Sequence, residues 1–389
     1  MAHALILGAS GISGWSLMNQ ARNYPTPATF TRITGTTNRP LTLDQAHLPT
    51  DPRLRIVSGV DFTKTVEEVA RSLEQTIPDV GTVSHVFYTA FANANNPKDN
   101  VKLNTRLLEV AVQAIERVSR SLKVVILQTG GKGYGLTFPK EIKIQPPLRE
   151  DLPRIPEPWA SDIFYYTQYD ALKKLSQGKS WTFSEIRPDG IVGFAPTANA
   201  MNMAKGTGLY FTLHRVVHGA GAVVSFPGSE LGYRATHTDT FQDVLSKMEI
   251  YAAVNPEKCG GGSVFNVADG QAVSWSQVWP RLCKYFGLVG QGPAAQSTSI
   301  QDFVKEHEGA WDVLAKEHCV DKSAVREFDW GFLEFMLVKC DFDREFDLSR
   351  SREVGFMEEI DTVKGFVISW ERMIAAKQLP PLQILDIHY

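Results

Sequence analysis

The sequence predicts an α/β protein built on a doubly wound parallel sheet, with a smaller, mostly helical C-terminal lobe. Short apolar strands alternate with helical segments up to about residue 190, the pattern changes beyond Gly193, and the first strand runs directly into spaced glycines. Parallel strands need long crossover connections, which helices supply on both faces of a sheet. We therefore expect residues 1–193 to form the sheet domain and residues 194–389 to form a closely packed lobe. This expectation allows part of residues 194–389 to pair with the sheet.

Hydrophobic periodicity places the individual elements. The first half predicts strands at Ala4–Leu7, Phe30–Gly35, Leu54–Ser58, His85–Tyr88, Lys123–Gln128 and Thr182–Arg187, and helices at Trp15–Arg22, Val66–Leu73, Val101–Val118 and Asp162–Leu175. The second half predicts β-structure at Val223–Phe226 and Ser263–Val267, and helices at Gly208–Val217, Trp275–Phe286, Phe303–Glu308, Val313–His318 and Val363–Ala376. Residues 289–300 are expected to form a surface loop, and most tryptophans of this half to be core.

The glycines after the first strand indicate a nucleotide site. The apolar run Leu5–Leu7 leads into Gly8, Gly11 and Gly14, spaced three apart. In a dinucleotide-binding Rossmann unit the first glycine makes the tight turn, the second lets the backbone approach the pyrophosphate, and the third lets the helix pack on the sheet. The helix N-terminus then attracts phosphate. An ordinary turn is the alternative, but the context favours a dinucleotide held by Gly8, Ser10, Gly11, Ile12 and Gly14.

The residues after the second strand favour NADPH over NADH. An NAD site usually has an acidic residue here for the adenosine ribose, whereas this chain has Thr37, Asn38 and Arg39. The Arg39 guanidinium suits a 2′-phosphate, with Thr37 and Asn38 as supporting donors, although a merely solvated arginine is the alternative. Asp61, after the third strand, is expected either to accept a hydrogen bond from the adenine amino group or to cap the next helix.

Composition narrows the class of protein. A net charge of −3 gives no basic surface for nucleic acid, and no apolar run reaches the ~18 residues of a membrane span. The four cysteines lack Cys-x-x-Cys spacing and are typical of reduced cytosolic thiols. His214 and His218 are four apart, but Arg215 stands where a zincin has glutamate, so no metal is expected. We expect a cytoplasmic protein with a small-molecule substrate and no nucleic-acid or membrane partner; a homodimer is compatible with this.

The catalytic residues are less obvious. The glycine spacing resembles that of extended short-chain dehydrogenases, most of which carry Tyr-x-x-x-Lys on one helix. Here the residue four positions after Tyr165 is Tyr169, and the residue four positions after Tyr166 is Asp170, so the usual lysine is missing. A lysine, Lys132, lies instead in the loop after the fifth strand. That loop is at the carboxyl edge of the sheet, where ligands bind in open α/β folds.

Two segments resemble the progesterone 5β-reductase / iridoid synthase family, a divergent (PRISE-like) branch of the short-chain dehydrogenases. Residues 128–134 read Gln-Thr-Gly-Gly-Lys-Gly-Tyr, like the family's Gln-Thr-Gly-x-Lys-His-Tyr, and residues 163–170 read Ile-Phe-Tyr-Tyr-Thr-Gln-Tyr-Asp, like Asn-Phe-Tyr-Tyr-x-x-Glu-Asp. We take the resemblance to imply Lys132 and the second tyrosine, Tyr166, as the catalytic pair. Tyr165 is the rival donor, because adjacent helical residues face about 100° apart and only one points inward.

The resemblance covers nearly the whole chain, and fungal secondary-metabolite members are more similar to it than the plant enzymes. Its other segments are Arg187–Pro196, Val264–Val267 with Trp275, Gly355–Phe356 and Trp370. It implies an extended short-chain dehydrogenase fold with NADPH/NADP⁺, further cofactor contacts at Thr129, Pro188 and Ile191, and a substrate pocket of Phe91, Tyr134, Tyr169, Met203 and Phe211. The chain departs from the family at Gly133 (histidine), Tyr169 (glutamate), Ile163 (asparagine) and Phe91 (tryptophan), all near the reacting centre.

Residues and resemblance together predict an NADPH-dependent reductase of a hydrophobic carbonyl compound, acting by 1,4-reduction of an enone or enal in terpenoid or other secondary metabolism. A free phenol has a pKa of about 10, and a neighbouring ammonium favours its ionised form. Such a hydroxyl can hydrogen-bond the substrate carbonyl and hold the charge that develops when hydride arrives. The same two residues would serve a ketoreductase; a cyclase-like or redox-silent nucleotide-binding relative is the other alternative.

Overall fold

The computed structural model describes residues 2–197, 199, 201–295 and 299–381. Its strands are β1 (His3–Leu7), β2 (Arg32–Thr37), β3 (Leu54–Ser58), β4 (His85–Tyr88), β5 (Val124–Gln128), β6 (Thr182–Pro188), β7 (Gly190–Val192), β8 (Val223–Ser225), β9 (Thr236–His237), β10 (Asp239–Phe241), β11 (Ser263–Val267), β12 (Val273–Ser274) and β13 (Val289–Gln291). Its helices are α1 (Ile12–Gln20), α2 (Val66–Thr76), α3 (Pro97–Val118), α4 (Phe164–Leu175), α5 (Met203–His218), α6 (Glu230–Arg234), α7 (Gln242–Val254), α8 (Pro256–Cys259), α9 (Trp275–Tyr285), α10 (Ile300–His318), α11 (Ala324–Glu327), α12 (Trp330–Glu334), α13 (Ser349–Glu353) and α14 (Thr362–Ala375), with a π-helical turn at Phe335–Lys339.

Seven strands form one parallel sheet in the order β3-β2-β1-β4-β5-β6-β11, which confirms the predicted doubly wound α/β fold. Helices α2, α3 and α4 pack side by side, and α1 packs against α7. All five residues of β1 are buried, as expected when both faces of a parallel sheet are covered. The strand order reverses between β1 and β4, so a crevice opens at their carboxyl ends.

The C-terminal half contributes to the sheet as well as to the lobe. Strand β11 pairs with β6, and helix α7 packs on β5 and β6. One hydrophobic cluster runs from the sheet into the lobe, and Trp275, Trp279, Trp311 and Trp370 are among its fully buried side chains, which confirms the tryptophans as core. The sheet therefore includes residues beyond 193, namely those of β11. The domain boundary at residue 193 stays a prediction.

The structure adds several short elements that were not predicted, and three further differences have a clear physical reason. Helix α7 is buried almost all round and includes polar Gln242, Ser246 and Glu249, so it has no amphipathic period to read. The two helices expected around Gly309 are one, α10, because a helix tolerates an isolated exposed glycine at modest cost. The start of the expected loop 289–300 is strand β13, paired with β8, and residues 296–298 lie outside the described residues.

Within the described ranges, no helix combines the length and the apolar character needed to cross a membrane.

Candidate active site

A cleft of about 710 Å³ opens at the crevice between β1 and β4. Loops that follow the first six strands form one side, and α12 with the π-helical turn faces them. Among the residues predicted to contact the cofactor, those lining the cleft are Gly8, Ser10, Gly11, Ile12, Gly14, Thr37, Asn38, Asp61, Thr129, Pro188 and Ile191. Arg39 does not line the cleft and is exposed beside Asn38.

The glycine loop has the geometry that its spacing predicts. Gly8 has φ +96°, a conformation that favours glycine, and leads the chain out of β1. A Cβ on Gly14 would lie 2.2 Å from the Gly8 carbonyl oxygen, so only glycine lets α1 approach this closely. No side chain caps α1 at Gly11, and its first turn lines the cleft. The uncapped N–H groups and the helix dipole therefore face the cleft and favour an anion there.

Several buried polar atoms of the cleft wall have no hydrogen-bond partner among the described residues. They are Ser13 Oγ, Thr36 Oγ1, the Tyr88 hydroxyl and Gln128 Oε1. Leaving a buried polar group unpaired costs about 1–3 kcal/mol. Together with the uncapped helix N-terminus and the glycine cradle, these atoms suit a polar, phosphate-bearing ligand such as a nicotinamide dinucleotide.

The loop after β2 is folded by its own hydrogen bonds. The Thr37 hydroxyl donates to the Arg39 carbonyl oxygen at 2.7 Å and lies 3.1 Å from Ser58 Oγ. These bonds shape the loop and present Asn38 to the cleft, with Arg39 at its rim. The Thr37 hydroxyl is thus already engaged in the loop.

Asp61 does not cap the following helix. Its Oδ1 accepts from the Thr63 amide at 2.9 Å and the Thr63 hydroxyl at 2.7 Å, and these bonds lower the pKa of the carboxyl. Thr65 caps α2 instead, in a capping box with Glu68. Asp61 therefore organises a tight turn while its residue lines the cleft.

Lys132 and Tyr165 both line two cavities. One is the main cleft, and the other is a neighbouring cavity of about 360 Å³. The Tyr165 hydroxyl oxygen lies 3.5 Å from where a Cβ on Gly130 would be, so it points at the loop that carries Lys132. Across the described residues, neither the Lys132 ammonium nor the Tyr165 hydroxyl makes a hydrogen bond or ion pair, which leaves both available to a ligand.

Tyr165, and not the expected Tyr166, lines the cleft in this structure. Tyr166 does not line the cleft, and its buried hydroxyl donates to the Gly133 carbonyl oxygen at 2.5 Å and accepts from the Ile155 amide at 3.1 Å. The rotation of about 100° between neighbouring helical residues turns Tyr165 into the cleft and Tyr166 away from it. Sequence reasoning retained Tyr165 only as the rival donor.

The electrostatics of the pair also differ from expectation. Burial raises the pKa of Tyr165, and the nearby Glu185 carboxylate adds to this, whereas burial lowers the pKa of Lys132. Glu185 is fixed beneath the site by Arg187 at 2.8 Å and by the Thr129 hydroxyl at 2.6 Å. In this structure burial therefore favours the neutral phenol, in contrast to the expected lowering of its pKa by lysine.

Aromatic and thioether side chains form the apolar part of the cleft. Phe91 is 43% exposed and stacks on Phe164, with ring centroids 5.7 Å apart. Phe332, Phe335 and Met336 line the cleft from the lobe. These three were not predicted, because the π-helical turn that follows α12 leaves no readable sequence period; such turns are frequent at functional sites.

The predicted pocket residues Tyr134 and Tyr169 lie elsewhere. The Tyr134 hydroxyl donates to Asn266 Oδ1 at 2.7 Å, and burial raises its pKa to about 12. The Tyr169 hydroxyl donates to the Gly262 carbonyl oxygen at 2.8 Å. Neither residue lines the cleft, so both lie outside the pocket in this structure.

Met203 and Phe211, also expected in the pocket, do not line the cleft either. Both have no exposed surface, because α5 is buried on nearly all sides within the lobe. Met201, just before α5, lines the cleft instead. Of the five predicted pocket residues, only Phe91 faces the cleft.

Comparisons with known proteins find matches over nearly the whole chain. A family model described as a PRISE-like Rossmann-fold domain matches residues 4–380. The chain is 35% identical to the short chain dehydrogenase sirR of Leptosphaeria maculans, over 98% of each protein. It is 28% identical to (S)-8-oxocitronellyl enol synthase ISY1 of Nepeta racemosa (97% of this chain, 93% of that protein). It is 27% identical to the 3-oxo-Delta(4,5)-steroid 5-beta-reductase of Arabidopsis thaliana, over the same shares.

Solved structures share the fold at much lower identity. Bordetella bronchiseptica WbmH in complex with NAD⁺ superposes with a TM-score of 0.59 at 15% identity, covering 97% of this chain and 100% of that one. Vestitone reductase from alfalfa gives 0.57 at 12% identity, with the same coverage. At these identities the likeness concerns the fold alone.

Proposed function

The chain belongs to the PRISE-like Rossmann-fold family, and from this premise we propose that it is an NADPH-dependent reductase of a hydrophobic carbonyl compound. Its relatives are short-chain dehydrogenases and reductases. The observation that carries the proposal is that one cleft is lined by Lys132 and Tyr165, by the dinucleotide glycine loop and by aromatic rings.

The cofactor would be held by the residues of the glycine loop and the strand ends. The first turn of α1 and Ser10 suit the pyrophosphate. Asn38 in the cleft wall and the exposed Arg39 beside it suit the adenosine end. Thr129, Pro188 and Ile191 line the cleft near Lys132 and suit the nicotinamide end. When bound there, NADPH supplies the hydride.

Tyr165 then acts on the substrate oxygen. Its neutral hydroxyl donates a hydrogen bond to the carbonyl and stabilises the negative charge that develops on that oxygen during reduction. The Lys132 ammonium, on the same wall, adds positive charge in a partly desolvated site, where charge interactions are strong. Phe91, Phe335 and Met336 bind the hydrocarbon part and exclude water.

Within this function we favour 1,4-reduction of an enone or enal. A phenol whose pKa is raised gives up its proton reluctantly, and this suits it better to holding a delocalised enolate by hydrogen bonding than to protonating an alkoxide. The name of the Arabidopsis relative describes a 3-oxo steroid with a conjugated double bond, which is a substrate of this class. Reduction of an isolated ketone is the alternative.

The test compares Tyr165→Phe with wild type on simple enones and ketones, by following NADPH oxidation and identifying the product. We expect a saturated ketone from the wild type and a loss of about 10²–10³ in kcat in the variant, with NADPH binding retained. The matched control is Tyr169→Phe, which removes a hydroxyl on the same helix outside the cleft. Undiminished turnover in Tyr165→Phe would refute the assignment, and an allylic alcohol as product would favour the ketoreductase.

A further inference from the structure

We propose that Tyr166, the neighbour of the proposed donor, is a positioning residue that fixes the loop carrying Lys132. The inference rests on the proposed reductase function. It assigns separate tasks to the two adjacent tyrosines of α4: Tyr165 contacts the substrate, and Tyr166 places the lysine.

The Tyr166 hydroxyl joins two loops to α4. It donates to the carbonyl oxygen of Gly133, the residue next to Lys132, and accepts from the amide of Ile155 in the loop that precedes the helix. Gly133, Ile155 and Tyr166 are all buried, so both bonds are shielded from water. Neither main-chain group has water as a ready substitute partner if the hydroxyl is removed.

The two ends of the lysine loop are anchored, Thr129 by Glu185 and Tyr134 by Asn266, but little else holds the backbone between them. Residues 130–133 contain three glycines, and Gly130 has φ +157°. The other recorded main-chain hydrogen bonds of residues 130–133, in the part of the chain that the structure describes, stay within the loop: the Gly133 amide donates to Gly130 and the Gly135 amide to Lys132. A glycine-rich segment is conformationally permissive, so the outside bond from Tyr166 restricts it most.

The Tyr166 ring is itself held in place. The Arg154 guanidinium lies 4.8 Å from the ring centroid and makes two hydrogen bonds, of 2.7 and 2.8 Å, to the Asp170 carboxylate. Asp170 lies one turn further along α4. The ion pair is exposed and adds little to global stability, but it covers the ring and orients the hydroxyl towards Gly133.

Because residue 133 is glycine, the loop depends more on the hydrogen bond from the Tyr166 hydroxyl to the Gly133 carbonyl oxygen. A Cβ on Gly133 would lie 3.8 Å from Tyr166 Cε1, so the two residues are in direct contact. Glycine offers no side chain that would anchor the loop. The position of the Lys132 ammonium relative to Tyr165 is therefore set by the Tyr166 hydroxyl.

The experiment compares Tyr166→Phe with Tyr169→Phe in the full-length protein, using NADPH and an enone that the wild type reduces. Each variant removes one α4 hydroxyl that donates to a glycine carbonyl, but only Tyr166 bonds to the lysine loop. For Tyr166→Phe we expect kcat to fall about 10- to 100-fold, as for an ångström-scale misplacement of a catalytic group. We also expect KM and NADPH affinity within twofold of wild type and a shifted alkaline limb of the kcat–pH profile. Tyr169→Phe should leave kcat and the pH profile unchanged.

The outcomes separate a positioning role of Tyr166 from a catalytic or a merely structural one. Wild-type kcat and pH profile in Tyr166→Phe would overturn the positioning role. A loss as complete as in Tyr165→Phe with an unshifted pH profile would also overturn it, because Tyr166 would then be a reacting group. If Tyr165→Phe stays active, the proposed donor fails, whatever Tyr166→Phe shows. Should Tyr166→Phe not fold, the exposed change Arg154→Met carries the test: we expect a smaller pH shift in the same direction, and an unchanged profile overturns the proposal.

Discussion

Replacing Gly14 by alanine should force α1 away from the sheet. The new Cβ would lie 2.2 Å from the Gly8 oxygen, 2.7 Å from its carbonyl carbon and 2.9 Å from Ala9 Cα, all of which are main-chain atoms. Reaching an ordinary contact of 3.4 Å with the oxygen requires a retreat of about 1.2 Å. Overpacking of this kind costs about 1–3 kcal/mol. The helix N-terminus moves with the shift, so we expect NADPH binding to weaken too.

Two other glycines provide matched controls. A Cβ on Gly11 would contact only the Gly8 oxygen, at 3.4 Å, so Gly11→Ala should cost at most about 1 kcal/mol, the effect of losing glycine at a helix N-cap. It should nevertheless weaken NADPH binding about tenfold or more, because its methyl group occupies the space reserved for the pyrophosphate. Gly309 is exposed in α10 with nothing within 4 Å, and Gly309→Ala should stabilise the protein by about 0.5–1 kcal/mol.

The assay is urea unfolding of the nucleotide-free variants together with fluorescence titration of NADPH. The reasoning is refuted if Gly14→Ala is as stable as wild type without nucleotide, or if Gly11→Ala binds NADPH as tightly as wild type.

Two further predictions concern the charged residues. Burial lowers the pKa of Lys132 from its ordinary 10.5, so the ammonium is present at low pH and is lost as the pH rises through the lowered value. We therefore expect kcat to fall on the alkaline limb of the kcat–pH profile. Lys132→Arg, which stays protonated, should make whatever activity remains flat across the same pH range, and a persisting limb would assign the titration to another group. Arg39→Ala should weaken NADPH binding about tenfold and leave NADH binding unchanged, if the guanidinium binds a 2′-phosphate. Equal losses for both nucleotides would exclude that role.

Much of the fold was predictable because its signals are local. An apolar run and glycines three apart place β1, the turn at Gly8 and the start of α1 without any knowledge of the rest of the chain. The same holds for the strand ends that line the cleft and for the loop that carries Lys132. Helix α7 was missed because a helix buried on all sides lacks the polar face that marks other helices.

The sequence by itself determined the parallel sheet and the dinucleotide loop, since each depends on residues close together in the chain, whereas the pairing of a lysine with one of two tyrosines came from the family resemblance. Only the tertiary structure decided that Tyr165 faces the cleft and Tyr166 the lysine loop, because helix rotation relative to the sheet is set by packing. It also supplied the wall of Phe332, Phe335 and Met336 and reversed the expected pKa shift of the phenol. Desolvation and the placement of distant segments arise only when the chain is folded.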